Sequence, residues 1–247
     1  MQIGWLGLSN YGWAILIITF AFIVRGVVGF GAGMISISLL LLLLPIKIVV
    51  PIVLCLELLG SLTLGAIDIK QIYWKELHSI WPFTLVGLGL GLYFLSNIQS
   101  QYLMIILGCL LLAYVVTVPL CKLHNVPPIH KPWGILFGFI GGVMGGMYGT
   151  GGPSLAAYLQ RRHLPPRNLR ATIQFIALID NVVRSVGYIA LGLLSMRVFT
   201  TALWLAPPTL IGIGIGNRLH HRLSSRYFEW AISTVLAVIG VKLVAGL

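Results

Sequence analysis

The sequence has very few acidic residues and few charged residues of any kind. Its 247 residues include 5 Asp and Glu and 16 Lys and Arg, so that 9% of the chain is charged and 58% is hydrophobic. A soluble domain carries about a quarter charged residues, so this chain lacks the polar side chains that a water-facing surface requires. The apolar residues form helix-length runs, which indicates an all-α, polytopic membrane protein whose helices satisfy their own backbone hydrogen bonds.

Other absences narrow the class further. The 3 cysteines show no CxxC or Cys/His spacing, which gives no indication of a disulfide framework or a metal site. The 6 histidines lie in loops or at segment ends, so no intramembrane histidine is available to activate a nucleophile. We therefore expect no enzyme activity, no metal and no cofactor. Residues 1–10 have no basic n-region, so we expect no removable signal peptide.

The basic residues are concentrated in loops on one side of the predicted helices. Loops 68–79, 120–132, 161–170 and 218–227 hold eleven Lys and Arg, whereas the other side holds three, Lys47, Arg197 and Lys242. By the positive-inside rule the first side is cytoplasmic, and both termini face outward. The net charge of +11 thus indicates contact with the anionic surface of the lipid bilayer rather than with nucleic acid.

The chain contains an internal duplication. Gly29-Phe30-Gly31-Ala32-Gly33 recurs 120 residues later as Gly149-Thr150-Gly151-Gly152-Pro153. Apolar segments at 13–28, 30–44, 47–67, 80–96 and 102–119 likewise recur at 133–147, 149–160, 171–192, 200–217 and 228–246. The predicted fold is a single transmembrane domain, 1–247, with repeats at 11–119 and 131–246.

Each repeat has a pair of short, glycine-broken segments followed by three transmembrane helices. The short segments run about 12–16 residues, against the roughly 20 needed to cross a bilayer. They are either short tilted helices or the arms of re-entrant hairpins. In both cases a repeat makes an odd number of passes, so the two repeats are predicted to be inverted, as in secondary transporters.

The paired glycine motifs are the predicted substrate site. Glycine permits positive φ angles and close approach, so successive N–H groups at the start of a helix can bind a small anion. Two such turns, entering from opposite faces, would meet around the anion. The alternative is that the glycines serve helix packing alone, which is our interpretation of the Gly-x-Gly-x-Gly ladders at 87–91 and 212–216.

Ionisable residues inside apolar segments are costly and therefore indicate function or pairing. Asp180 and Arg184 lie one helical turn apart with Asn181 beside them, so Arg184 either attracts the anion or is neutralised by Asp180. Glu57 either carries a coupling proton or is a protonated packing residue, and we favour the second. Arg25 either binds substrate or snorkels to the membrane interface.

The second glycine motif, together with Leu164-Pro165, Arg170-Ala171-Thr172 and Asp180-Asn181 with Arg184, resembles the second repeat of the sulfite exporter TauE/SafE family, also called TSUP proteins. The first motif resembles that family's first glycine motif, although Ala32 replaces a frequent glycine. The resemblance covers essentially the whole chain. It implies an exporter of sulfite, sulfonates or related small organic anions in a bacterial inner membrane, where the outward-facing termini that the charge count predicts would be periplasmic.

The residues and the resemblance together predict a secondary transporter that exports a small sulfur-containing anion by alternating access. The membrane potential, about 2.3 kcal/mol per charge at 100 mV, or the proton gradient would drive it. An uptake carrier for thiosulfate or a small carboxylate, and a non-transporting membrane scaffold, stay open as alternatives. Asp180, Asn181 and Glu57 are predicted coupling or structural residues. The predicted substrate-binding residues are Gly29, Gly31, Gly33, Gly149, Thr150, Gly151, Gly152, Gln174, Arg184 and Arg25.

Overall fold

The computed structural model describes residues 8–63, 69–121, 129–219 and 225–245. These residues form ten α-helices and one 3-10 turn, η1 (Ile69–Gln71), and contain no strand. The all-α prediction is confirmed. Residues 1–7, which make up most of the N-terminal segment where we expect no signal peptide, lie outside the described residues. The loop residues Lys122 and Arg222 lie outside them as well. The helices are α1 (Leu8–Val28), α2 (Ala32–Leu40), α3 (Ile46–Thr63), α4 (Trp74–Asn97), α5 (Ser100–Cys121), α6 (Trp133–Tyr148), α7 (Gly152–Arg161), α8 (Pro166–Ala190), α9 (Met196–Leu219) and α10 (Ser225–Ala245).

Five of the described helices are long and apolar enough to cross a membrane. These spans lie in α1, α3, α4, α8 and α9, and shorter apolar helices lie in α5, α6 and α10. Large apolar side chains such as Trp13, Leu203 and Met196 are exposed on the outside of the bundle, where lipid would cover them. The prediction of a polytopic helical membrane protein is confirmed.

The shortest helices are those that follow the glycine motifs. Helix α2 has 9 residues and α7 has 10, which at about 1.5 Å per residue is half the thickness of a bilayer core or less. The expectation that the segment before the first motif is also short is wrong, because α1 has 21 residues. Its first turn holds polar Asn10, which interrupts an apolar run but not a helix.

Helices of one repeat pack closely against helices of the other repeat, and they do so in two equivalent pairs. Helix α1 packs against α9 as α6 packs against α4, and α3 contacts α9 as α8 contacts α4. The contacts match at the backbone level. A Cβ atom added to Gly212 would collide with the carbonyl oxygen of Thr19, and one added to Gly87 would collide with that of Phe139, 120 residues further on. These matched contacts support the internal duplication, while the inversion of the repeats in the membrane stays a prediction.

The glycine ladders of α4 and α9 act in this packing. Gly87 and Gly91 approach the backbone of α6, and Gly212 and Gly216 approach that of α1. The middle glycine of the first ladder, Gly89, has open space where a side chain would be. The packing interpretation of the ladders is therefore confirmed for their outer members, which share one helix face at a spacing of four.

Three of the basic loops meet at one end of the bundle. The Arg162 guanidinium donates to the Glu76 carboxylate at 2.8 Å and to the Ile129 carbonyl oxygen at 3.1 Å. Lys47 lies away from this end, and its Nζ atom donates to the carbonyl oxygen of Ser96, at the far end of α4. The structure therefore groups these loops as the charge count does. The assignment of that end to the cytoplasm stays a prediction.

Candidate functional site

Each glycine motif forms a turn that ends one helix and begins the next. In the first turn Gly29 and Gly31 have φ angles of 95° and 94°, and Gly31 is the N-cap of α2. In the second turn Gly149 caps the end of α6 with a φ of 68°. Gly151, the N-cap of α7, has an ordinary φ of −67°. The first N–H groups of α2 and α7 have no acceptor within their own helix, and they carry its positive dipole end.

The two turns are in direct contact. A Cβ atom added to Gly33 would lie 3.0 Å from the carbonyl oxygen of Gly149. One added to Gly152 would lie 3.2 Å from the Phe30 Cβ atom. Any larger residue at these two positions would push the turns apart, so glycine is required here for close approach, whereas at Gly31 and Gly149 it is required for the positive φ.

A cavity of about 40 Å³ lies between the turns. All of the predicted site residues line it except Gly33 and Gln174. Ile173 and Ala177 of α8 line the cavity, and Gln174, which lies between them in the sequence, does not. The role of Gln174 as a hydrogen-bond donor to substrate stays a prediction. The other lining residues that the sequence did not indicate are Phe30, Met34, Gly145, Pro153 and Leu155.

Arg184 is the most enclosed charged residue of the cavity, with a side chain that is 1% exposed. Its Nη1 atom donates to Asn181 Oδ1 at 3.1 Å and to Glu57 Oε2 at 3.3 Å. Its Nη2 atom donates to the Tyr188 hydroxyl at 3.2 Å, while Nε has no partner among the described residues. The carboxylate that neutralises Arg184 thus belongs to Glu57 of the other repeat. The alternative in which Asp180 neutralises Arg184 has no hydrogen bond or salt bridge among the described residues.

Arg25 approaches the same carboxylate from α1. Its Nη2 atom donates to Ser61 Oγ at 2.6 Å, and its Nη1 atom lies 4.0 Å from Glu57 Oε1. The residue is 4% exposed, so the snorkelling alternative is wrong. Glu57 therefore lies between two guanidinium groups, which fits an ion pair better than the protonated packing residue that we favoured from the sequence. Among the described residues the Arg25 Nε atom, like that of Arg184, has no partner.

Asp180 lines the cavity and forms no salt bridge with the described residues, although Arg184, one turn further along α8, attracts its negative charge. It is 7% exposed, and its Oδ1 atom has no hydrogen-bond partner among the described residues. A buried polar group left without a partner costs about 1–3 kcal/mol. Three such atoms, Arg25 Nε, Asp180 Oδ1 and Arg184 Nε, belong to residues that line one small cavity.

Thr150 was expected to donate a hydrogen bond to substrate. It lines the cavity and is buried, and its hydroxyl donates to the carbonyl oxygen of Met144 at 3.3 Å. Within the described parts of the chain, no group of three or more His, Cys, Asp or Glu side chains is placed to hold a metal ion.

A second buried ion pair, which the sequence analysis missed, joins α4 to the end of α7. Glu76 accepts hydrogen bonds from the Tyr158 hydroxyl at 2.8 Å and from Arg162 Nε at 3.1 Å and Nη2 at 2.8 Å. The hydrogen bond to Glu76 raises the pKa of Arg162. The charge count placed the loops of Glu76 and Arg162 on the same side of the membrane. That shared side was the one indication of this ion pair in the sequence.

Comparison with known proteins adds an independent line of evidence. A family model described as sulfite exporter TauE/SafE matches residues 14–243. The chain is 25% identical over 195 residues to the probable inner membrane transporter protein TsaS of Comamonas testosteroni, covering 78% of this chain and 81% of that one. It is 26% identical over 227 residues to the probable sulfite/organosulfonate exporter TauE of Cupriavidus necator, covering 88% and 87%. No solved structure matches the chain.

Proposed function

Because the chain belongs to the sulfite exporter TauE/SafE family, a family of transporters rather than enzymes, we propose that it exports a small sulfur-containing anion across the bacterial inner membrane by alternating access. The observation that carries this proposal is the cavity between the two glycine turns. Two buried guanidinium groups and two helix N-termini converge there, and each guanidinium has an unused Nε donor.

The chemistry of the cavity favours an anion with several oxygen acceptors. The Nε atoms of Arg25 and Arg184 supply two charge-assisted hydrogen bonds, which are the strong ones in proteins. The first N–H groups of α2 and α7, which have no acceptor within their own helix, would supply further donors along the helix dipoles. Sulfite and the sulfonate group each offer three oxygens around one sulfur atom, which suits donors that arrive from different directions.

The size of the cavity favours a small anion. A water molecule needs about 10–15 Å³ of such space, so a cavity of about 40 Å³ has room for a few waters or for one compact oxyanion. A long organic acid would require the turns to separate. We therefore expect sulfite and short sulfonates to bind better than larger carboxylates.

The paired packing of the repeats supplies a mechanism for alternating access. The two turns belong to different repeats, and they meet around the cavity while α1–α9 and α4–α6 form matched packing units. Exchange of the two repeats' conformations would open the cavity to one side and then to the other. The anion, held between the repeats, would be released as the turns part.

Flux measurements in proteoliposomes test the proposal. Sulfite, thiosulfate, sulfoacetate and lactate are offered in parallel, and we expect saturable flux of sulfite and sulfoacetate that exceeds the leak of protein-free vesicles. Arg184→Gln should reduce the flux strongly. Lys131→Gln removes a positive charge from an exposed position at the start of α6 and should leave the flux unchanged.

The same assay separates the alternatives. A preference for thiosulfate or lactate over sulfite and sulfoacetate would favour an uptake carrier. Absence of flux for every anion, in protein that retains its helical content and thermal stability, would favour a membrane scaffold and would overturn the proposal.

A further inference from the structure

Ionisable side chains of opposite sign line the cavity: Arg25, Glu57, Asp180 and Arg184. Three of them are linked, because the Glu57 carboxylate lies 3.3 Å from Arg184 and 4.0 Å from Arg25. Two guanidinium groups and one carboxylate leave this linked group with a net charge of +1. The fourth residue, Asp180, has a carboxylate oxygen without a partner among the described residues.

The other elements that pack against α8 add no charge to the cavity. The described lining residues from α6 and α7 are uncharged. On α4 the Glu76 carboxylate is bonded to Arg162 and Tyr158, outside the cavity, and Lys70 in η1 is exposed. Tyr188, which accepts a hydrogen bond from Arg184, is the remaining titratable group beside the linked residues. The charge balance of the cavity therefore depends on Asp180 and on whatever ligand enters.

We propose that Asp180 is the proton-binding site of the transporter and that a monovalent anion enters the cavity together with one proton on Asp180. This inference rests on the proposed function. In the empty cavity an ionised Asp180 balances the net charge of +1. A monovalent anion balances the same charge, but the anion and an ionised Asp180 together would leave an uncompensated negative charge in a desolvated site, which is costly.

The proton goes to Asp180 rather than to Glu57 because of their partners. Glu57 is held by two guanidinium groups, and each of them stabilises the charged carboxylate. Asp180 Oδ1 makes no hydrogen bond in the described structure, and a buried carboxylate that is not hydrogen-bonded to a cation gains more from a proton than an ion-paired one does. The proton is taken from the compartment that supplies the anion and is released with the anion on the other side.

The cavity is then electrically neutral in both the loaded and the empty state. The membrane potential exerts no net force on either form, so transport follows the combined gradients of anion and proton. An inwardly directed proton gradient opposes export, and export proceeds when the internal concentration of the anion is high enough to exceed it. The expectation that the membrane potential drives export would not apply to this site.

Calorimetry of sulfite binding to the purified full-length protein tests the proposal. The number of protons taken up per sulfite is obtained by repeating the titration at one pH in two buffers with different ionisation enthalpies. Wild type is compared with Asp180→Asn, which keeps the size of the side chain and removes its titration. Protonation of sulfite itself is common to both proteins, so it cancels in the comparison.

We expect wild type to take up one proton more per sulfite than Asp180→Asn, and we expect the variant to bind sulfite at least as tightly. Equal proton uptake by the two proteins, or loss of sulfite binding in Asp180→Asn, would overturn the role of Asp180. Absence of binding by wild type would instead refute the proposed function, and the inference with it.

A second measurement uses wild type alone and so does not depend on how the variant folds. Sulfite flux is measured in proteoliposomes in which valinomycin and a potassium gradient impose a membrane potential, with protein-free vesicles as the control for leak. An electroneutral cycle predicts the same initial rate at zero, positive and negative potential. A rate that changes several-fold when the sign of the potential is reversed would overturn the proposal.

Discussion

Arg184 combines a rigid position with an unused donor. Three hydrogen bonds fix its two Nη atoms, and Nε has no partner among the described residues. A guanidinium held in this way is already oriented for an incoming anion, so little side-chain entropy is lost on binding. Lysine would retain the charge but not this geometry.

The first prediction concerns Arg184→Gln. Loss of a charge-assisted hydrogen bond should weaken anion binding by about 1.5–3 kcal/mol, which is a factor of about ten to more than a hundred in Kd. The substitution also leaves Glu57 with Arg25 alone, so thermal stability must be measured beside affinity. Full sulfite affinity in this variant would remove Arg184 from the site.

The double variant Glu57→Gln with Arg184→Gln is the matched control. If the pair serves structure alone, removing both charges should restore the stability that either single change loses, and transport should return with it. If Arg184 binds the anion, stability should recover while affinity stays low. The comparison depends on Glu57, since it is the carboxylate that contacts Arg184.

The second prediction concerns the backbone of the glycine turn. Gly149→Ala places a Cβ atom 2.7 Å from Arg184 Nη1 at a φ of 68°, where a non-glycine residue costs about 1–2 kcal/mol. We expect lower thermal stability and loss of anion binding. Gly12→Ala, with open space around the added Cβ and no positive φ, should change neither. Normal sulfite flux in Gly149→Ala would show that the turn tolerates displacement of Arg184.

The sequence predicts most of the residues that line the cavity, because glycine repetition and buried charge are visible along the chain. It does not predict their partners. The contact between Glu57 and Arg184 spans 127 positions in the sequence, and no local pattern links two residues so far apart. Gln174 does not line the cavity although Ile173 and Ala177 do, and an apolar segment alone does not indicate which side of its helix faces a cavity.

At the scale of helices, close approach between α1 and α9 and between α4 and α6 depends on glycine at matched positions. Gly87 and Gly212 touch the facing backbone, whereas Gly89 and Gly214 have open space around an added Cβ. In each ladder the middle glycine is therefore a control position for the glycine that contacts the facing helix. Overpacking at a buried contact costs about 1–3 kcal/mol.

The third prediction follows from this contrast. Gly87→Ala and Gly212→Ala should each lower the melting temperature of the purified protein and should reduce transport, because the facing helix must move away. Gly89→Ala and Gly214→Ala should leave both properties close to wild type. Equal melting temperatures in all four variants would show that the bundle adjusts to the added methyl groups.

The fourth prediction concerns the ion pair between α4 and the end of α7. Glu76 is buried and accepts three hydrogen bonds, so Glu76→Gln leaves Arg162 and Tyr158 imperfectly satisfied. Breaking a buried pair costs about 3–5 kcal/mol, and the 23% exposure of the Arg162 side chain reduces this to about 1–3 kcal/mol. Thermal unfolding of Glu76→Gln, Arg162→Gln and the double variant measures the coupling. Strictly additive losses would contradict it.

For the whole molecule, hydropathy and charge predict the number of helices and the end at which the basic loops meet. The length of α1 could not be predicted in the same way, because its polar first turn does not continue the apolar run. The exchanged packing of the repeats, with α1 on α9 and α6 on α4, requires three-dimensional contacts that no segment encodes alone. Its signature in the sequence was the repeated spacing of glycine.

The fifth prediction concerns orientation. In a background without Cys55, Cys109 and Cys121, a cysteine at Lys47 should react with an impermeant thiol reagent in intact cells. One at Arg167, the equivalent position in the second repeat, should be protected. This difference follows from inverted repeats with the basic loops in the cytoplasm. Labelling of both positions, or of Arg167 alone, would contradict the orientation.

The central claim is that the transported anion binds between the two glycine turns. Selenite has the shape and charge of sulfite and scatters anomalously, so a crystal structure with selenite would locate it directly. The account predicts one anomalous peak beside Gly31 and Gly149, within hydrogen-bond distance of Arg184 Nε. A peak elsewhere in the bundle, or an empty cavity in crystals of protein that transports selenite, would contradict the claim.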